Sequence, residues 1–216
     1  MSNNKNISYE VLCQIFEYAV KNSNNAQHWL AQYQLVCKSW TQTARYCLYI
    51  SVKFDDYLVL MDFIHSIQNC LGHLTRTIIL GDDDKPMDQI AAPFISELAK
   101  ACPNVDRIKG RHTGVLAWHA FKRVASTSWI GLKELPTPAL GYSDYIYGCK
   151  LHHEIAIDNR STLTCIDLPP EPLSSQLLTR TIDQLPFFSN LTHLTIEHII
   201  IQVFWITTRL SNLAQF

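Results

Sequence analysis

Leu163-Thr-Cys-Ile-Asp-Leu168 and Leu191-Thr-His-Leu-Thr-Ile196 share one pattern: apolar residues at positions one, four and six. Such short runs, rich in branched residues and alternating toward their ends, read as strands. Upstream, Thr75-Arg-Thr-Ile-Ile-Leu80, Val105-Asp-Arg-Ile-Lys-Gly110 and Leu132-Lys-Glu-Leu-Pro-Thr137 fit the pattern in part. The fourth-position anchors Ile78, Ile108, Leu135, Ile166 and Leu194 lie 30, 27, 31 and 28 residues apart. Helical patterns precede the five runs, over 57–70, 90–101, 115–126, 143–157 and 174–184. A near-constant helix-plus-strand period predicts an α/β solenoid, with a parallel sheet and an extended concave face. An ordinary α/β domain is the rival reading.

Residues 55–216 resemble a degenerate leucine-rich-repeat array of about five repeats. The period is slightly long for that family. The asparagine or cysteine that the family places five residues past each anchor is replaced by Asp83, Thr113, Leu140, Glu171 and Ile199. The last stretch, 201–216, reads as one more apolar helix with no strand after it. The array is therefore expected either to be a truncated form of a longer one or to self-associate there.

The 216 residues are 47% apolar and 17% charged, which excludes a disordered chain. The seven glycines are scattered. No G-x-G-x-x-G, Walker A loop or G-x-S-x-G elbow can be built from them. A net charge of −1 argues against nucleic acid or an anionic membrane as a partner of the whole chain. The polar start carries no signal-peptide pattern. The most apolar stretch, 199–206, is too short to span a bilayer. Seven cysteines without a C-x-x-C read as reduced thiols, which places the protein in the cytoplasm or nucleus.

Ahead of the array, residues 1–54 read as three short helices. Val11, Leu12, Ile15, Phe16, Ala19 and Val20 make one wide apolar stripe on the first. The second carries Ala26, Trp29, Leu30 and Tyr33, and the third Val36, Trp40, Ala44, Cys47 and Leu48. These stripes are wider than three small helices need for one another. Ile7-Ser-Tyr-Glu-Val-Leu-x-x-Ile-Phe16, then Leu35-Val-Cys-Lys-Ser-Trp40, resembles the F-box. Ser8 stands where that family usually has proline, so Ser8→Pro is expected to help or be neutral.

The resemblance implies a substrate-recognition adaptor of a cullin–RING (SCF-type) ubiquitin ligase. It would dock the Skp-type adaptor, itself bound to cullin, and present a protein substrate on the repeats. On matching positions the adaptor contact falls on Ile7, Ser8, Val11, Leu12, Ile15, Phe16, Leu35, Val36, Cys37 and Trp40. No catalysis and no cofactor or metal is implied. A repeat scaffold without a ligase is one alternative. A metal-dependent transferase using Asp82 and Asp84 of the Asp82-Asp83-Asp84 run is another.

Other residue groups are weaker as sites. His153-Glu154 begins an H-E-x-x-H, but Ile157 takes the second histidine's place. Cys149-x-x-His152-His153 has half of a zinc spacing and no companion pair. Charge is banded along the chain: net −6 over 55–97, +6 over 98–133 and −5 over 134–200. Within the basic band, Arg107, Lys109 and Arg111 alternate with Ile108 and Gly110, so strand periodicity puts the three cations on one concave face. Glu134, Pro136, Asp167, His193, Thr195 and Glu197 should share that face. An acidic or phosphorylated substrate segment is the expected ligand of the three cations.

Overall fold

A computed structural model describes residues 7–21, 26–67, 71–81, 92–112, 114–139, 145–168, 183–196 and 199–202. It divides into two units, Met1–Val52 and Lys53–Phe216. The first holds α1 (Tyr9–Lys21), α2 (Ala26–Tyr33) and α3 (Lys38–Ile50). Ser8 precedes α1, and its Oγ accepts a hydrogen bond from the Val11 N–H at 3.4 Å. Ser8 is therefore a cap rather than the first helical residue. A proline there would remove the acceptor, so Ser8→Pro is expected to cost some helix stability, against the gain or neutrality the family pattern suggests; the melting temperature of the variant checks it. Leu12, Phe16, Leu30, Ala44 and Cys47 form the core of this unit. Phe16 stacks on Tyr33 with ring centroids 4.9 Å apart and meets Trp40 edge-on at 5.3 Å. Such aromatic pairs add ~1 kcal/mol each beyond area burial.

The remaining elements are β1 (Ser51–Phe54), α4 (Tyr57–Ile67), β2 (Thr77–Leu80), α5 (Ala92–Ala101), β3 (Arg107–His112), α6 (Val115–Thr127), β4 (Thr137–Pro138), α7 (Tyr145–Asp158), β5 (Cys165–Leu168), β6 (His193–Ile196) and β7 (Ile199–Gln202). Asp56 caps α4, its Oδ1 accepting from the Val59 N–H at 3.0 Å. One sheet has the order β1-β2-β3-β4 and the other β5-β6-β7. β2 and β3, β3 and β4, and β5 and β6 pair in parallel. Ile78 sits beside Ile108, and Ile166 beside Leu194. All four are buried, together with Leu135. Helix α5 packs on α4 and α6, and α6 on α7. The architecture is thus mixed α/β with parallel strand pairing, strands alternating with helices as parallel crossovers require.

Backbone bonds pass from one strand run to the next at a nearly constant step. The Arg76 carbonyl accepts from the Asp106 and Arg107 N–H groups at 3.0 and 3.1 Å. The Asp106 carbonyl accepts from Lys133 at 2.6 Å, and the Lys133 carbonyl from Thr164 and Cys165 at 2.9 and 3.1 Å. The Thr164 carbonyl accepts from Thr192 and His193 at 2.9 and 3.1 Å. These steps repeat the anchor spacings. The 132–137 run is less regular than its sequence suggests. Only Glu134 bridges to Arg107, and the strand that follows has two residues. Pro136 lies between and has no N–H to give to a ladder.

A second set of ties lies where sequence reasoning did not look. Asn104 Nδ2 donates to the His73 carbonyl at 2.7 Å, Thr162 Oγ1 to that of Leu132 at 2.8 Å, and Asn190 Nδ2 to that of Ser161. Each donor sits four residues before its anchor and reaches back about one period. Ahead of Leu135, Gly131 occupies that position, and there the buried Trp129 Nε1 donates to the Cys102 carbonyl at 2.9 Å instead. These side-chain bonds form a polar row just ahead of the strand runs.

One expectation for the far end changes. Ile201 and Gln202 belong to β7, which pairs antiparallel with β6, and not to a helix. A run of three isoleucines is β-branched and favours a strand. Residues 203–216, the Asp82–Asp84 run and most of the helix expected over 174–184 lie outside the described residues. Among the described residues no helix is long and apolar enough to cross a membrane.

Candidate partner-binding surfaces

Helix α1 carries apolar residues on two faces, and one of them supplies the core of its unit. Leu12 and Phe16 are 3% and 1% exposed and point into the core. Ile7, Val11, Ile15 and Tyr18 recur at helical spacing on the other side and are exposed. The ten residues expected to meet an adaptor therefore divide. Leu12 and Phe16 are interior and act through the fold, and Trp40 is half-buried against Phe16 and Tyr33. Ile7, Ser8, Val11, Ile15, Leu35, Val36 and Cys37 face outward.

Leu35, 86% exposed, and Val36 occupy the turn between α2 and α3. That turn is fastened from within. The Leu35 N–H donates to the Gln32 carbonyl at 3.0 Å, and Thr41 Oγ1 donates to that of Gln34 at 2.5 Å. Two apolar side chains are held out on an ordered backbone, at low entropic cost for a partner. Cys37 caps α3 without a side-chain cap bond, its Sγ 3.1 Å from Ser39 Oγ. Hydrogen bonds from the Ser39 hydroxyl and the Trp40 N–H hold its thiol below the ordinary value.

The second surface is the strand face opposite Ile78, Ile108, Ile166 and Leu194. Thr77 pairs with Arg107 and Ile79 with Lys109. Glu134 bridges to Arg107 on its other side. Further along, Cys165 pairs with His193 and Asp167 with Thr195. Lys109 Nζ lies 3.2 Å from Glu134 Oε2, and Arg107 Nε lies 4.0 Å from Asp106 Oδ1. Burial pushes the Cys165 thiol up to about 11, helped by Asp167 and Glu134 and opposed by Lys109 and Arg107. The charges of both signs thus act on one another across this face.

The expected row of three cations is corrected to two. Gly110 has a φ of 90°, which breaks the strand alternation ahead of Arg111. Arg111 is half-buried, and its charge acts on the buried Tyr145 of α7. Nor is the pair on β3 an isolated positive patch, because Glu134 closes an ion pair with Lys109.

Comparison of the chain with family models, curated proteins and solved structures found no match.

The remaining candidate residues are structural where they are described. Cys149 and His152 of α7 are interior, Cys149 hydrogen-bonded with Tyr145 and His152 against Trp118. Among the described residues no group of three or more His, Cys, Asp or Glu side chains is placed to hold a metal ion. Burial raises the thiols of Cys47 to about 12 and of Cys102 and Cys149 to about 11, so they stay protonated and weakly nucleophilic at neutral pH. The described arrangement offers two surfaces suited to binding proteins, one apolar and helical, one polar and extended.

Proposed function

We propose that the chain is a substrate-recognition adaptor of a cullin–RING (SCF-type) ubiquitin ligase, acting in the cytoplasm or nucleus. Its three-helix unit is F-box-like, and its second unit is a short leucine-rich-repeat-like solenoid. The observation that carries this reading is the outward apolar row of α1, with Leu35 and Val36 held out at the α2–α3 turn. A helical face with apolar anchors is what a partner protein buries. The repeats would present the substrate on their strand face through Arg107 and Lys109, with Arg111 beside them in sequence.

The exposure pattern selects the test. Leu12→Asp would unfold the unit and say nothing about a partner. Val11→Asp with Val36→Asp leaves the core untouched and places two carboxylates in the contact. Co-purification with a Skp-type adaptor should fall at least ~100-fold, which ~3 kcal/mol amply covers. Circular dichroism and the melting temperature should stay at wild-type values. A folded double variant that retains the adaptor undiminished would sink the ligase reading.

A further inference from the structure

The strand face carries an ordered pair of opposite charges, and this order constrains what can lie across it. Arg107 and Lys109 project from β3. One step on stands Glu134, and one step further, on β5, Asp167. The Cys165 N–H donates to the Lys133 carbonyl at 3.1 Å, just as the Arg107 N–H donates to that of Arg76. This places Cys165 beside Glu134 as Arg107 is beside Thr77. Lys109 and Asp167 then lie in one row across the strands, two strand steps apart. Asp167 is half-buried and in no ion pair among the described residues.

A uniformly acidic or phosphorylated segment fits the β3 end and is repelled by Glu134 and Asp167. A uniformly basic one meets the reverse conflict. We propose that the strand face takes an extended segment crossing the strands, with a carboxylate over Arg107 and Lys109 and a cation over Asp167. Two steps of ~4.8 Å make ~10 Å between the charges. A segment in the extended polyproline-II conformation advances ~3.1 Å per residue and brings every third side chain back to one side, so the two charges are three residues apart. The incoming carboxylate shares Lys109 with Glu134, and the incoming cation relieves the negative end. Complementary order of this kind sets specificity and register more than raw affinity.

The inference rests on the strand face being the substrate site, and its test is independent of the adaptor. A phage-displayed library of random twelve-residue peptides is selected on the full chain, and in parallel on Asp167→Lys and on Arg107→Glu with Lys109→Glu. Wild-type protein should enrich peptides with an acid and a base three residues apart. Asp167→Lys should keep the acid and turn the selected base into an acid. The Arg107/Lys109 variant should do the reverse. Binding of enriched peptides should weaken with rising salt. Peptides that are uniformly acidic, show no fixed offset, are the same for all three proteins, or fail to enrich would each overturn the inference. An intact adaptor complex with any of those outcomes removes this inference alone. Charge-ordered peptides without an adaptor complex remove the ligase reading alone.

Discussion

Gly110→Ala is expected to unfold the second unit or to remove several kcal/mol of its stability. Gly110 lies opposite Leu80 in the β2–β3 ladder. A Cβ at this position would stand 2.1 Å from the Leu80 carbonyl oxygen and 2.9 Å from its carbon. Both atoms belong to backbone in a paired strand and cannot swing aside as a side chain would. The positive φ adds a further ~1–2 kcal/mol for any L side chain. A domain of this size is stable by only ~5–15 kcal/mol, so the sum is decisive. Gly114→Ala is the control. Its φ of 97° is as unfavourable, but among the described residues nothing lies within 4 Å of the added carbon. It should cost only ~1–2 kcal/mol. Urea midpoints of the two variants separate strain from collision, and equal losses would show that the β2–β3 approach is not tight at Gly110.

The second large effect is acid lability from His152. This side chain is 1% exposed, and among the described residues neither ring nitrogen has a hydrogen-bond partner. It sits edge-on to Trp118 with ring centroids 5.7 Å apart. Burial lowers its pKa from the ordinary 6.5 to about 4, with a smaller contribution from the neighbouring His153. The folded state therefore binds fewer protons than the unfolded state between these values. Stability is complete above pH ~6.5 and is lost progressively as pH falls toward about 4. At pH 5 the loss is ~2 kcal/mol relative to pH 7.5. His152→Leu keeps the site apolar and should flatten this part of the profile. Urea unfolding at pH 7.5 and 5 checks it, and an unchanged pH dependence in the variant would assign the lability elsewhere.

What the sequence made legible follows from the range of each signal. The anchors Ile78, Ile108, Leu135, Ile166 and Leu194 were readable because alternation and period are both local and repeated. The α1 stripe was readable, but not which half of it turns inward. Val11 and Ile15 are as apolar as Leu12 and Phe16, and only packing on α2 and α3 separates them. The donors Asn104, Thr162 and Asn190 look like ordinary loop residues until their acceptors, 29 to 31 residues earlier, are brought alongside. Their common place four residues before an anchor was the signal available. Strand alternation did put Glu134 beside the cations, yet the positive φ of Gly110 cannot be read from the glycine itself, and so Arg111 was counted one position too far.

The chain of ties from Arg76 through Asp106, Lys133 and Thr164 to Thr192 has a mechanical meaning. Among the described residues these backbone bonds join each strand run to the next, and the side-chain donors reach back by about one period. Under tension along the stack the load falls on one junction at a time, like a zipper and not like a clasp. Peeling should therefore advance in steps of 27 to 31 residues, each releasing ~100 Å of contour length. An unfoldase pulling from one end would meet these junctions one after another and would take the described strand runs apart piecemeal.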